Sequence, residues 1–261
     1  MKSSSAFLFI LMVGNIFAIG DEDYDALDLL CSAGKIHAAI NKINYDESYK
    51  DDNADYFSNN INRLAKEERV KGSRSLFTSF CVMLGSSKNL ESLTLKQNNL
   101  YQLLASEWKI LLTELSRCPK FRSLDLSDNS FGTEIGGDNE FWFEGLGLLE
   151  SLEELNLSEN GFGASPKKTR ALGLNVAKMK RLKSLNFSKN YIGRLIIKTQ
   201  LEVVGNFCKL SSLRSIDFAE NNLSEEVMQL LYSQGFEFYE ESKIWIRHPL
   251  SFVFILKKWL I

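Results

Sequence analysis

Any chemistry in this chain would have to come from a few places. His37 and His248 are the two histidines, one toward each end of the 261 residues. A Ser, His, Asp relay or an imidazole metal site would therefore depend on a single ring. Two acidic runs, Asp21-x-Asp23-x-Asp25 and Asp51-x-Asn53-x-Asp55, open like calcium loops. Both then fail where such a loop needs glycine at its sixth position and glutamate at its twelfth. The first offers Ala26 and Ser32, the second Tyr56 and Asn62. Gly161-Phe162-Gly163 has no lysine and none of the rest of a phosphate loop, so its glycines are expected to serve a turn. Cys31, Cys81, Cys118 and Cys208 contain no Cys-x-x-Cys pair for zinc or redox work. The expectation is no catalytic residue, no cofactor, no metal and no small-molecule substrate.

Composition narrows the classes further. Lys plus Arg number 31 and Asp plus Glu 33, a net charge of −2, so there is no basic excess to hold a nucleic acid backbone. An apolar fraction of 44% with only three prolines excludes a disordered or proline-rich linker protein.

What remains is positional. Leu90-x-x-Leu93-x-Leu95-x-x-Asn98-x-Leu100 returns four times: as Phe121, Leu124, Leu126, Asn129, Phe131; Leu152, Leu155, Leu157, Asn160, Phe162; Leu182, Leu185, Phe187, Asn190, Ile192; and Leu213, Ile216, Phe218, Asn221, Leu223. The motif starts at 90, 121, 152, 182 and 213 are 31, 31, 30 and 31 residues apart. Alternating apolar positions within each motif predict a short strand with one buried face. The asparagine stands where the chain leaves that strand, and its amide can donate to and accept from backbone groups left unpaired by the turn, giving a ladder of Asn98, Asn129, Asn160, Asn190 and Asn221. Ten residues before each motif stand Phe80, Leu111, Trp142, Leu172 and Val203, and six before stand Leu84, Leu115, Leu146, Val176 and Phe207. Apolar positions four apart predict an amphipathic helix in every repeat.

These motifs resemble leucine-rich repeats, and the long period is similar to the ribonuclease-inhibitor-like class. The resemblance covers 90–223, about half the chain, and implies an α/β solenoid: a curved parallel sheet on the concave side, helices on the convex side, and protein recognition by the concave wall and the adjacent loops Ser130–Glu140 and Gly161–Lys168. Cys118 and Cys208 lie three repeats apart, too far to bridge across stacked strands, so buried thiols are expected.

Around the array, residues 73–232, the chain changes character. Lys2, three serines and an apolar run up to Ala18-Ile19-Gly20 read as an export signal over 1–20, cleaved before Asp21. Residues 21–72 read as an acidic helical cap, with ten acids and three bases between Asp21 and Asn60. Ser224 is placed to cap a helix containing Val227, Leu230 and Leu231. Residues 233–261 read as a degenerate sixth repeat, with Ile244 and Ile246 as its strand, or a capping tail. That tail is too short to span a bilayer, and Lys257, Lys258 and Trp259 leave a membrane-surface contact as its alternative role.

The concave wall is expected to expose three rows. The first is Ser92, Ser123, Glu154, Ser184 and Ser215; the second Thr94, Asp125, Asn156, Asn186 and Asp217; the third Lys96, Ser127, Ser158, Ser188 and Ala219. Arg122, Lys183 and Arg214 alternate with Glu91 and Glu153 at the strand entrance. The rows are small and polar, without an aromatic anchor. Asn156 and Asn186, with Asn222, head Asn-x-Ser sequons, and a sugar on the first two would obstruct the wall. The expected function is an exported, non-enzymatic scaffold that binds another protein. The alternatives are a regulator similar to the leucine-rich repeat activators of Ran-type GTPases, though without their acidic C-terminal tail, and a fragment of a larger receptor or effector.

Overall fold

The computed structural model describes residues 81–248 except 83, 87, 99 and 134–139, with the backbone alone for Gln102 and 140–142. The expected export signal, the 21–72 cap, the helix positions Leu76 and Phe80, Cys31, His37, both calcium-like runs and the tail from Pro249 lie outside the described residues.

Five three-residue strands form at the motifs: β1 (Ser92–Thr94), β2 (Ser123–Asp125), β3 (Glu154–Asn156), β4 (Ser184–Asn186) and β5 (Ser215–Asp217). They pair in parallel, in sequence order and in the register of the repeat, Leu93 beside Leu124, Leu155, Leu185 and Ile216. Between them run α1 (Ala105–Ser116), α2 (Pro166–Val176) and α3 (Ile197–Cys208), and α4 (Glu225–Ser233) follows β5. The strands' inward residues and the helices' stripe, Leu111, Leu115, Leu172, Val176, Val203 and Phe207, meet in one core in which all are essentially inaccessible. Rings fill its centre: Trp108, Phe131, Phe143, Phe162 and Phe187 touch in succession at centroid distances of 5.3 to 6.2 Å, and Phe187 continues to Phe207 and Phe218. Offset and edge contacts of this kind stabilise beyond the area they bury. Cys118 and Cys208 are free thiols in this core, as their separation predicts, and Cys81 is buried there as well.

The asparagine ladder forms as the motif requires. Each Oδ1 accepts the backbone N–H of the preceding repeat's asparagine: Asn129 from Asn98 at 3.0 Å, Asn160 from Asn129 at 2.9 Å, Asn190 from Asn160 at 2.9 Å and Asn221 from Asn190 at 3.2 Å. Each Nδ2 donates to carbonyls of its own turn and of the repeat before, Asn160 to Leu126, Leu157 and Ser158. The ladder thus satisfies buried peptide groups that strands only three residues long leave open. The residue before each asparagine is left-handed without being glycine: Gln97, Asp128, Glu159, Lys189 and Glu220 have φ between 54° and 58°. Gly161 is also left-handed (φ 70°), as a turn glycine should be. Gly132, Gly163 and Gly193 serve a different need. A Cβ on Gly163 would stand 2.0 Å from the Tyr191 carbonyl oxygen, and one on Gly193 2.0 Å from that of Asn222. Two backbones touch there.

Three expectations need correction. Among its described residues the second repeat carries not an α-helix but a 3₁₀ segment, Glu140–Leu148. Gly145 and Gly147 lie within it, a Cβ on Gly145 would fall 2.6 Å from Leu112 Cδ1, and the segment packs against α1 and α2 at a spacing that larger residues would not permit. Ser224 stands at the N-cap of α4, but its hydroxyl makes no capping bond and is buried without a partner. The strand at Ile244 and Ile246 does not extend the parallel array: β7 (Ile244–Arg247) runs antiparallel to β5, and an unforeseen β6 (Phe236–Tyr239) pairs antiparallel on its far side. The reason is local. Four residues, Glu240 to Lys243, join β6 to β7, with Lys243 left-handed (φ 57°), and a link that short makes a hairpin.

Candidate functional site

The first row faces the concave side as expected. Ser92, Ser123, Ser184 and Ser215 are half-buried and Glu154 is exposed. Ser215 Oγ donates to Ser184 Oγ at 3.1 Å. Ser92, Ser123, Glu154 and Ser184, with Thr94, Asp125, Asn156 and Asn186 of the second row, line a concavity of about 240 Å³ that runs across β1 to β4.

The second row is largely occupied with holding the chain. Asp125 Oδ1 accepts the Ser127 N–H at 2.9 Å, Asn156 the Ser158 N–H at 3.0 Å, Asn186 the Ser188 N–H at 3.0 Å and Asp217 the Ala219 N–H at 2.8 Å. These are Asx turns, in which a short side chain imitates a backbone turn. They bend the strand exits inward, and the third row is therefore not a binding row: Ser127, Ser158 and Ser188 are buried, while their carbonyls accept N–H groups from the preceding repeat. Lys96 is half-buried. Thr94, expected on the open wall, is 2% exposed. Asn156 and Asn186, the sequon residues, are half-buried in this row with an oxygen already used.

The charged margins pair across repeats. Lys183 Nζ donates to Glu153 at 2.6 Å and Arg122 lies 3.9 Å from the same carboxylate. The bonded ammonium, with Arg122 and Arg181 near, holds the Glu153 carboxyl below the usual carboxylate range. At the other margin Lys189 donates to Glu159 at 3.3 Å, which raises the lysine above its ordinary value. Both pairs are exposed and contribute little to stability. Of the loop Gly161–Lys168, the last residue is withdrawn from the surface: Lys168 is 2% exposed and its ammonium donates to the Thr133 carbonyl at 2.5 Å. Most of Ser130–Glu140 lies outside the described residues.

No group of three or more His, Cys, Asp or Glu able to hold a metal occurs among the described residues, and no described helix is long and apolar enough to cross a membrane. The wall's resources are hydroxyls, amides and the carboxylates of Asp125, Glu154 and Asp217, an array for hydrogen bonding to another polar surface.

Five parallel strands stand at a 30 to 31 residue period, each closed by a laddered asparagine, as the repeated motifs predict. These are leucine-rich repeats. The family model described as Leucine Rich repeat matches residues 117–137, which span the motif at 121. No curated protein matches the chain. Solved structures that resemble it include the leucine-rich repeat-containing protein LegL7 of Legionella pneumophila, 22% identical, with a TM-score of 0.43, over 55% of this chain. The match spans 43% of the LegL7 chain.

Proposed function

We propose that this leucine-rich repeat protein is an exported, non-enzymatic scaffold that binds another protein across its concave wall. The observation that carries the reading is the wall itself: a continuous sheet whose first-row groups, Ser123, Glu154 and Ser184 among them, line an open concavity and are not consumed by the turns that hold the second row. A surface of small polar groups over a rigid sheet supplies register and hydrogen bonds. A photo-reactive side chain placed at Ser123 or Ser184, and for comparison at the exposed convex Leu174, tests it in protein returned to its native source. Adducts of discrete mass from the wall positions and none from Leu174 support the reading. Adducts from Leu174 alone overturn it.

Export rests on the leader-like residues 1–20. Intact mass of the protein from separated secreted, membrane and cytosolic pools tests that part. A secreted chain beginning at Asp21 supports export. A full-length chain in the cytosol overturns it.

A further inference from the structure

The concave wall does not stop where the parallel repeats stop. Register carries its two rows onto the hairpin: Ser215 lies opposite Ile246, itself opposite Glu237, and Asp217 lies opposite Ile244, itself opposite Tyr239. Residues directly paired across strands share a face of the sheet. Ile244, Ile246, Glu237 and Tyr239 therefore stand on the concave side, while Ile216, Trp245 and Phe238 stand on the core side. His248 follows the same alternation as Ile244 and Ile246, and its Nε2 lies 2.9 Å from Tyr239 Oη and 3.4 Å from a Glu237 carboxylate oxygen.

The wall changes character at this corner. Rows of serine, aspartate and asparagine become Ile246 beside Glu237 and Ile244 beside Tyr239. The core side of β7 is already filled by Trp245, against which Tyr232 and Phe238 pack. Ile244 and Ile246 remain half-buried on the opposite face, and Tyr239 is 39% exposed. The surrounding charge has one dominant sign. Asp217 and Glu237 stand in the rows, and Glu240 and Glu241 in the turn beside them. Of the nearby bases, Lys243 is paired with Glu240, Arg214 is bonded to the carbonyls of Ser211 and Leu213, and Arg247 is turned under the sheet to the carbonyls of Cys208 and Leu210.

We propose that this corner is the anchor point of the wall, seating an aliphatic or aromatic side chain of a partner protein flanked by lysine or arginine. The two isoleucines give the apolar floor, and Tyr239, with its hydroxyl bonded to His248, offers a ring already held in place. Glu237 and the second oxygen of Asp217 accept from the flanking cations. The inference rests on the protein-binding reading of the wall and adds to it where the energy is concentrated and what chemistry the partner brings.

The test uses the full chain with isoleucine methyl groups labelled for NMR, titrated with the end-capped peptide Lys-Phe-Lys-Leu-Lys. Glu-Phe-Glu-Leu-Glu and Lys-Ser-Lys-Ser-Lys serve as controls. Saturable shifts of Ile244 and Ile246 with the first peptide alone, weakened about tenfold by Tyr239→Ala and by Ile246→Lys, support the proposal. Both positions lie away from the core, and a cooperative thermal transition at an unchanged midpoint shows that each variant is folded. Equal shifts with the Lys-Ser peptide, which would reduce the site to charge alone, or no shift at either isoleucine overturn it. Shifts that instead follow protein concentration without peptide would seat a second copy of the chain there, and also overturn it. Failure of the wall reading is distinguishable: corner shifts with no adducts from Ser123 or Ser184 retain the anchor and discard the wall, while adducts with a silent corner do the reverse.

Discussion

The parallel repeats and the terminal hairpin build one sheet by opposite means. In the repeats the strands are three residues long, and their stability comes from what lies to either side: the buried leucines, the laddered asparagines and the Asx turns. In the hairpin the strands are four residues long, their direction is fixed by a four-residue link, and pairing to β5, two buried rings and one arginine tie them to the body. Arg247 donates to the carbonyls of Leu210 at 2.7 Å and Cys208 at 2.8 Å, at the end of α3, with its guanidinium 4.3 Å from the Phe236 ring centroid. Repetition makes each turn depend on its neighbour and leaves little of the second row free. The hairpin is held by its pairing to β5, by the buried Phe236 and Trp245 and by Arg247, and its concave side chains are released for other use.

Substitutions across this divide test it. The largest contrast is expected between Leu155→Asp and Ile244→Asp. Leu155 is 2% exposed between two repeats, so a carboxylate there is buried without a partner and should cost more than about 4 kcal/mol, enough to remove the cooperative thermal transition. Ile244→Asp, on the half-buried concave side, should cost less than about 1 kcal/mol. Similar melting of the two variants would refute the register. Gly163→Ala comes next, at roughly 3 kcal/mol, because backbone meets backbone and neither can yield. Gly205→Ala in α3, where the new methyl would lie 3.9 Å from Leu230 Cδ2, should instead stabilise by about 0.5 to 1 kcal/mol. Urea unfolding measures both.

Asn160→Ala removes a rung and leaves the buried Asn129 and Phe131 N–H groups without their acceptor, while the carbonyls of Leu126, Leu157 and Ser158 each lose one of two donors, which should cost about 2 to 3 kcal/mol. Arg247→Ala breaks the hairpin lock and should cost about 1 to 2 kcal/mol. Its hydrogen exchange should rise in β6 and β7 and remain unchanged in β1 to β4. Exchange that rises throughout would show that the lock serves the whole sheet.

The smallest effect is on titration. Burial pushes the Cys208 thiol up to about 11, against the nearby charge of Arg247, and Cys118 likewise to about 11, with Glu114 adding to burial. The unfolded chain ionises these thiols first, so their contribution is complete below about pH 9 and is lost as pH rises through 11. Unfolding midpoints should therefore fall over that window, and fall less in Cys208→Ala. An identical alkaline slope in the variant would assign the loss to other groups.

Much of this was legible in the sequence because it repeats. Leu155, Phe187 and Asn160 each recur at one period, and a position that recurs in a stack must do the same work each time. The Asx column was equally visible as Asp125, Asn156, Asn186 and Asp217, but a polar residue on an outward strand position reads as surface until the bond it makes to the residue two further on is seen. The burial of Ser158 follows from that bond and from left-handed Glu159, and neither is encoded in Ser158 itself. The 3₁₀ form of Glu140–Leu148 was hidden because Leu146 keeps helical spacing whichever helix is formed. The hairpin did leave a signal: Phe236-x-Phe238 and Ile244-x-Ile246 are two alternating runs separated by five residues. The repeat frame, fitted to Ile244 and Ile246, concealed it.

The ladder has a consequence for how long such a molecule is. An asparagine amide bonds only within its own turn and to the repeats beside it, so Asn129 meets in Asn160 the same chemistry that Asn160 meets in Asn190. Remove the stretch from one motif to the next, and the joint that re-forms presents the same groups at the same places. The interior keeps no count of its members, and among the described residues it is the hairpin that marks where counting ends. Gain or loss of one whole unit would change the span of the wall without asking any laddered asparagine to find a new kind of partner.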